Sequence, residues 1–420
     1  MIDFLTFRLN RLKEKLWVRP LVMCIISVSA VMLAKAIEST SIAELLPEIT
    51  AESVEALLTT LTAGMLVIAT FAVGSMVSAY ATAGNTATPR TFPLMVADDV
   101  SQNALSTFIG AFIFSVVALV FQKNGYYEVP GRFVLFVLTC LVFAIVILTF
   151  VRWVDRIARL GRLSVTIDKV EKVTVRSLRR RRRAPTLGCR HADNQSAEGK
   201  PILGTTFGYV QLIDIKALQD YAEQTGLQIT IEALPGTFIA PGRSLARIST
   251  DTETTSDVDT GKIENAFLIG DNRTFDDDPR FGLVVLSEIA GKALSPAVND
   301  PGTAIDVIGT LIRLFAAWNE PVNEEDHEPI KYDRVLAPEL SSRDMFDDAF
   351  TAIARDGAGC VEVATRLQKA LLSLSTLNDQ EMKKAAKEHS RMALARAENA
   401  LTLPEDLQAV REIAAFSSTD

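Results

Sequence analysis

Histidine and cysteine are scarce, with three and four residues respectively in 420. Cys24 and Cys140 lie inside apolar runs, and Cys189 and Cys360 stand far apart, so no spacing suits a disulfide framework or a zinc site. His191, His327 and His389 are scattered in polar surroundings and read as surface side chains. A phosphate-binding loop, a nucleophile elbow and a paired acid–base signature are all missing. No metal, no cofactor and no enzymatic activity are therefore expected. Charge is absent in blocks. The stretch FVLFVLTCLVFAIVILTFV, between Arg132 and Arg152, has none, and the segment holding Glu38, Glu44, Glu48, Glu52 and Glu55 has no Lys or Arg. The net charge of −8 argues against nucleic acid as the main partner.

What is present divides at about residue 155. Before it stand four apolar runs, near 18–37, 56–79, 104–122 and 132–153, each about the length a helix needs to cross a bilayer core. Lys35, at the end of the first, can snorkel. The N-terminal flank carries Arg8, Arg11, Lys13, Lys15 and Arg19, and the fourth run leads into a densely basic segment. By the positive-inside rule both termini are cytoplasmic and the acidic loop is outside. The expected fold class is an integral membrane α-helical protein with four transmembrane helices and a cytoplasmic α+β domain, a small β-rich module preceding a helical bundle.

The second run is rich in small and hydroxylated residues. Thr70, Gly74 and Ser78 follow at steps of four, and Thr60 and Gly64 form a similar pair. Such a line is either a face on which helices pack closely, with hydroxyls bonding across the pair, or the wall of a watery path. Asp98, Asp99 and Gln102 open the third run. There the acids suit a helix N-terminus, or would form an inner ring at a pore mouth.

The basic segment 156–183 has apolar positions Ile157, Leu160, Leu163, Ile167, Val170, Val173 and Leu178 at helical spacing, a stripe suited to helix association. Its terminal run, Arg179, Arg180, Arg181, Arg182 and Arg183, would sit among anionic headgroups of the inner leaflet. Residues 184–200 are polar and aperiodic and read as a flexible loop. A β-rich module follows over 201–262, including a helix that Asp214 caps and Gly226 ends. Residues 263–420 read as helical, with starts marked by Asp278-Pro279 and Asp300-Pro301 and further helices near 341–355, 360–376, 379–400 and 404–416. Asp276, Asp277 and Asp278 point in different directions, as a cap and a solvated face rather than a metal cluster. In the turn between the two AspPro helices, Ser295, Asn299, Asp300 and Thr303 tie the helices together or bind a ligand at the second N-terminus.

The stretch from Arg273 to Ala304, with RTFDDDPRFG and KALSPAVNDPGTA, resembles the bacterial predicted-membrane-protein family called domain of unknown function 2254. So do Thr88-Pro89-Arg90 with Asp99 and Gln102, and GYVQLID with PGTFIAPG. The resemblance covers nearly the whole chain and implies a bacterial inner-membrane protein. Two functions from different classes are expected to compete. One is a homo-oligomeric channel or pore with a cytoplasmic regulatory domain, conducting ions; the other is a membrane-anchored sensor or scaffold whose soluble part binds a ligand or protein.

Overall fold

The computed structural model describes residues 17–36, 47–192, 199–250, 258–323 and 328–418. The chain forms two compact units, divided between Thr166 and Ile167. The expected basic flank (Arg8, Arg11, Lys13, Lys15), Glu38, Glu44 and His327 lie outside the described residues.

The first unit contains four helices long and apolar enough to cross a membrane: α1 (Val18–Ala36), α2 (Ala51–Thr86), α4 (Asp99–Lys123) and α5 (Val129–Leu160). Between α2 and α4 lie a 3₁₀ turn and the short α3 (Phe92–Val96). Three of the four outrun the bounds read from hydropathy, and in two of these a capping side chain sets the start. Thr50 caps α2, so Glu52 and Glu55 belong to its first turns and not to a loop. Asp98 caps α4.

Helix α4 is the hub, with α1, α2 and α5 all packed on it. Its small residues Ala104, Gly110, Ala111 and Ala118 are buried beside Phe108 and Phe114. An added Cβ at Gly110 would stand 3.1 Å from Met23 Cβ, so α1 lies close against α4 there. The Ser27 hydroxyl donates to Gly110 O at 2.9 Å and the Tyr127 hydroxyl to Val31 O at 2.8 Å. The Lys35 ammonium, at the end of α1, donates to Tyr126 O at 2.8 Å.

The break after α5 falls at Gly161 and Arg162, and α6 (Leu163–Arg183) follows. The second unit begins within α6. Its strands are β1 (Cys189–His191), β2 (Lys200–Leu203), β3 (Gly208–Ile213), β4 (Leu227–Ile231), β5 (Phe238–Ile239), β6 (Ser244–Thr250), β7 (Phe267–Gly270) and β8 (Tyr332–Ala337). They form a mixed five-stranded sheet, β1-β8-β4-β6-β2, and an antiparallel three-stranded sheet, β5-β3-β7. Helix α7 (Ile215–Thr225) covers β4 and β8, with Asp214 as its N-cap and Gly226 left-handed at its end, φ 67°.

Two sequence expectations are corrected here. Residues 184–200 are not simply a flexible loop, since β1 and β2 both draw on them. The β-rich module is not confined to 201–262, since β1, β7 and β8 complete its sheets from either side. Short edge strands take their order from pairing partners, which a local pattern does not record.

After the short α8 (Thr260–Glu264) come α9 (Pro279–Ala293), α10 (Pro301–Asn319), α11 (Ser342–Asp356), α12 (Val361–Ser375), α13 (Gln380–Ala400) and α14 (Pro404–Ala414), close to the expected bounds. Phe315, Phe346 and Phe350 stack at centroid distances of 4.5–5.6 Å at the centre of this bundle. His389, expected at the surface, is buried against this cluster, 3.1 Å from Asp347, and burial holds its pKa below the usual value.

Helix α6 spends its expected association stripe inside this unit. Ile167, Val170 and Leu178 are buried, and Thr174 meets α9 at Gly282. A Cβ at Gly282 would fall 1.8 Å from Thr174 Oγ1, so only glycine admits that crossing. Gly282→Ala is therefore expected to destabilise the protein by about 1–3 kcal/mol through overpacking, read as a lower thermal unfolding midpoint in detergent. An unchanged midpoint would show that the two helices are free to separate.

Candidate functional site

The candidate site is built on α2, whose two faces differ. Leu58, Leu61, Met65, Ala72, Met76 and Tyr80 are buried on one side. At 3.6 residues per turn, Thr60, Thr70, Gly74 and Ser78 fall on the opposite side, with Gly64 and Thr82 toward its flank. A Cβ added at Gly64 or Gly74 would meet nothing within 4 Å, so neither glycine serves helix packing within one chain. Thr70 is exposed. The hydroxyls of Thr60, Thr70 and Thr82 do not bond across a helix pair. Each donates to the carbonyl four residues back, on Ala56, Leu66 and Ser78, at 2.6–2.9 Å. Val67 and Phe71 share the face, 68% and 62% exposed, and divide the upper Thr60–Gly64 pair from the lower polar stretch.

That lower stretch lines an open groove of about 620 Å³ between α2 and α5, formed by Phe71, Gly74, Ser75, Ser78, Thr82 and, across from them, Gly161 and Arg162. Gly161 lets the two helices meet, with its Cβ position 3.6 Å from Thr82 Cγ2.

The acids at the start of α4 are placed differently from a free ring. Asp98 is buried. It accepts from Ser101 N and Oγ at 3.2 and 2.9 Å, and from Arg156 Nε at 3.1 Å, with a second, shorter bond from Arg156 Nη2. A carboxylate held this way ties α4 to α5 and cannot face a lumen. Gln102 is buried too, its Nε2 donating to Val96 O at 2.7 Å. Asp99 is exposed and bound by Arg19, whose guanidinium also reaches Asn103 at 2.7 Å. Of the eight residues expected at a pore, the structure gathers Gly74 and Ser78 at one groove, leaves Thr60 and Thr70 exposed and Gly64 half-buried above it, puts Asp98 and Gln102 into the packing, and leaves Asp99 exposed on Arg19.

In the second unit, Ser295, Asn299, Asp300 and Thr303 do come together, as a turn. Asp300 accepts from Thr303 N at 3.1 Å and Thr303 Oγ1 at 2.6 Å, which hold its carboxyl below the usual aspartate range. Asn299 contributes a left-handed residue, φ 51°, and its amide donates to Ser295 O at 2.8 Å. The Arg273–Asp278 pair is bidentate at 2.6 and 2.9 Å, and Asp278 also caps α9 through Phe281 N. Gly236, φ 94°, presses on that carboxylate: a Cβ there would lie 2.3 Å from Asp278 Oδ2. The sequence motifs around 236 and 273–278 thus meet at one ion pair.

Two readings are corrected by this packing. Asp277 and Asp278 are buried, not on a solvated face, and burial pushes both carboxyls up against the opposing pull of Arg180 and Arg273. Much of the arginine run, expected among headgroups, is held by side chains of its own unit. Arg179 pairs with Glu320 at 3.0 Å, Arg180 with Asp277 at 2.6 Å, and Arg182 lies over the Trp318 ring. Arg181 is buried, and only Arg179 and Arg183 are exposed. Sequence reasoning missed the Asp98–Arg156 pair, whose members are 58 residues apart. It also missed the burial of Arg181, although five successive arginines must encircle a helix and one of them must follow the Val170–Thr174–Ser177 face inward.

Four long apolar helices followed by a mixed α/β region and a helical part define a membrane protein with a polar unit appended. The chain belongs to the family "Predicted membrane protein (DUF2254)", whose model matches residues 13–373. Uncharacterized proteins of Mycobacterium tuberculosis (strains CDC 1551 and H37Rv) and Mycobacterium bovis are 32% identical over 116 residues, 27% of this chain. The match spans only 22% of the length of those relatives. No solved structure matches significantly.

Arg156→Met would strand the Asp98 carboxylate. Because Arg156 is 31% exposed, the cost is expected near the low end for a broken buried pair, on the order of 2–3 kcal/mol. A lower unfolding midpoint, partly restored when Asp98→Asn is added, is the expected result. No change in either variant would contradict the tie between α4 and α5.

Proposed function

We propose that the chain assembles as a homo-oligomeric pore in a bacterial inner membrane, with both termini cytoplasmic and the exposed polar face of α2 lining an ion path. The supporting observation is the Gly74–Ser78–Thr82 line. It stands on the side of α2 turned away from α4, where a lipid-facing helix would carry Leu or Val. The Thr82 hydroxyl, like that of Thr70, is satisfied by its own helix, so these groups tolerate water without depending on a neighbour. Four spans enclose no path alone, whereas a closed ring of copies does. Val67 and Phe71 would then form an apolar collar of the kind that gates by dewetting, and Arg162 would stand at the groove's basic end. Asp98 takes no part in selecting ions in this arrangement, because Arg156 holds it. Gly74→Leu or Ser78→Leu is expected to lower ion flux through protein-loaded liposomes while leaving the oligomer intact. Wild-type protein without conductance under any voltage or tension would favour the membrane-anchored scaffold instead.

A further inference from the structure

Arg181 occupies an unusual position: it is 4% exposed, and among the described residues its Nε and Nη1 have no hydrogen-bond partner. Ser177, one turn earlier on α6 and equally buried, has an Oγ that is likewise unpartnered among the described residues. Both line one small cavity of about 20 Å³, together with Arg180, Ala184, Leu187 and Asp277. Buried polar groups without partners are rare, and a guanidinium and a hydroxyl in this state lining one cavity call for a guest that accepts hydrogen bonds.

The charges around the cavity indicate the guest's sign. Asp277 is engaged by Arg180 at 2.6 Å and Asp278 by Arg273 at 2.6 Å, so each nearby carboxylate already has its own cation. Arg181 is bonded to neither, so its charge has no bonded carboxylate among the described residues. Cys189, the remaining titratable neighbour of Arg181, does not balance it, because burial pushes its thiol up to about 12 and keeps it neutral. Burial likewise pulls Arg181 down, to about 10, which still leaves it a cation at neutral pH. The cavity's size narrows the choice further. A water needs roughly 10–15 Å³ by the same measure, so there is room for one compact guest and not for a tetrahedral phosphate or sulfate.

We propose that this cavity binds a single halide-sized monovalent anion, chloride under ordinary conditions, held by one donor edge of the Arg181 guanidinium and by the Ser177 hydroxyl. The anion joins α6 to the Asp277 segment that opens α9, and so fixes the basic end of α6 within its unit. This site is independent of the α2 face and stands whether or not the protein conducts.

The test is the thermal unfolding of the full-length protein in detergent, in sodium chloride, bromide, gluconate and sulfate at matched ionic strength. A saturable rise in the midpoint with chloride and bromide, absent with gluconate and sulfate, is expected, since a ligand of the folded state alone stabilises it by mass action. Ser177→Ala should weaken the chloride dependence several-fold and Arg181→Met, which replaces the charge with an apolar side chain, should abolish it. An anomalous bromide peak within hydrogen-bond distance of Arg181 should accompany the shift and disappear in Arg181→Met. Equal midpoints in chloride and gluconate would overturn the proposal and leave a bridging water as the guest. So would a chloride shift that survives in both variants. If Arg181→Met does not fold, Ser177→Ala and the bromide peak decide the matter alone.

Discussion

A helix in a bilayer can satisfy its own backbone and little more, and many polar side chains of the first unit are bonded within it. Thr60, Thr70 and Thr82 turn their hydroxyls back onto α2. Ser27 and Tyr127 find carbonyls on neighbouring elements, and Lys35 reaches the Tyr126 carbonyl at the end of its helix. Asp98 is taken by its own cap and by Arg156. With those debts settled inside one chain, the packing of α1, α2 and α5 around α4 can rest on small residues and close approach. The exception is the outer face of α2, where small and hydroxylated residues are turned away from that packing. A functional reading of the membrane unit rests on that face.

The second unit solves a different problem: how to bury a basic helix. The stripe of α6 that would suit another helix packs on α9 instead, through Thr174 and Gly282. Continuing along the same side brings Ser177 and Arg181 inward, toward the acidic segment Asp277–Asp278. Salt bridges to Asp277 and Glu320 and the Trp318 ring hold the flanking arginines. The same residues that would serve as a topology signal in the chain's sequence are therefore structural parts of the polar unit. Desolvating a guanidinium is costly unless it is paired, which makes Arg181 the most demanding member of the run.

Much of this was legible in the sequence wherever the signal was local. The AspPro pairs at Asp278 and Asp300 set the starts of α9 and α10 because a cap and a first-turn proline act within three residues. Hydropathy located all four long helices, though not their ends, because caps such as Thr50 extend a helix past its apolar stretch. What the sequence hid was long-range. Strand β8 pairs with β1 and β4 far away in the chain, and Cys189–His191 becomes a strand only because Tyr332–Ala337 lies beside it. The candidate site was half visible for the same reason. The polar line on α2 is a periodicity and could be counted, whereas the fate of Asp98 depended on Arg156, on another helix.

The central claim is that the outer face of α2 meets water inside an assembly and not lipid. It is tested most directly by placing single cysteines along α2, in a background lacking Cys24 and Cys140, and treating the protein in intact membranes with a hydrophilic thiol reagent. Modification at positions 74, 78 and 82, but not at Val73 or Val77 beside them, is the expected pattern. Protection of 74, 78 and 82, or uniform labelling without helical period, would contradict the account.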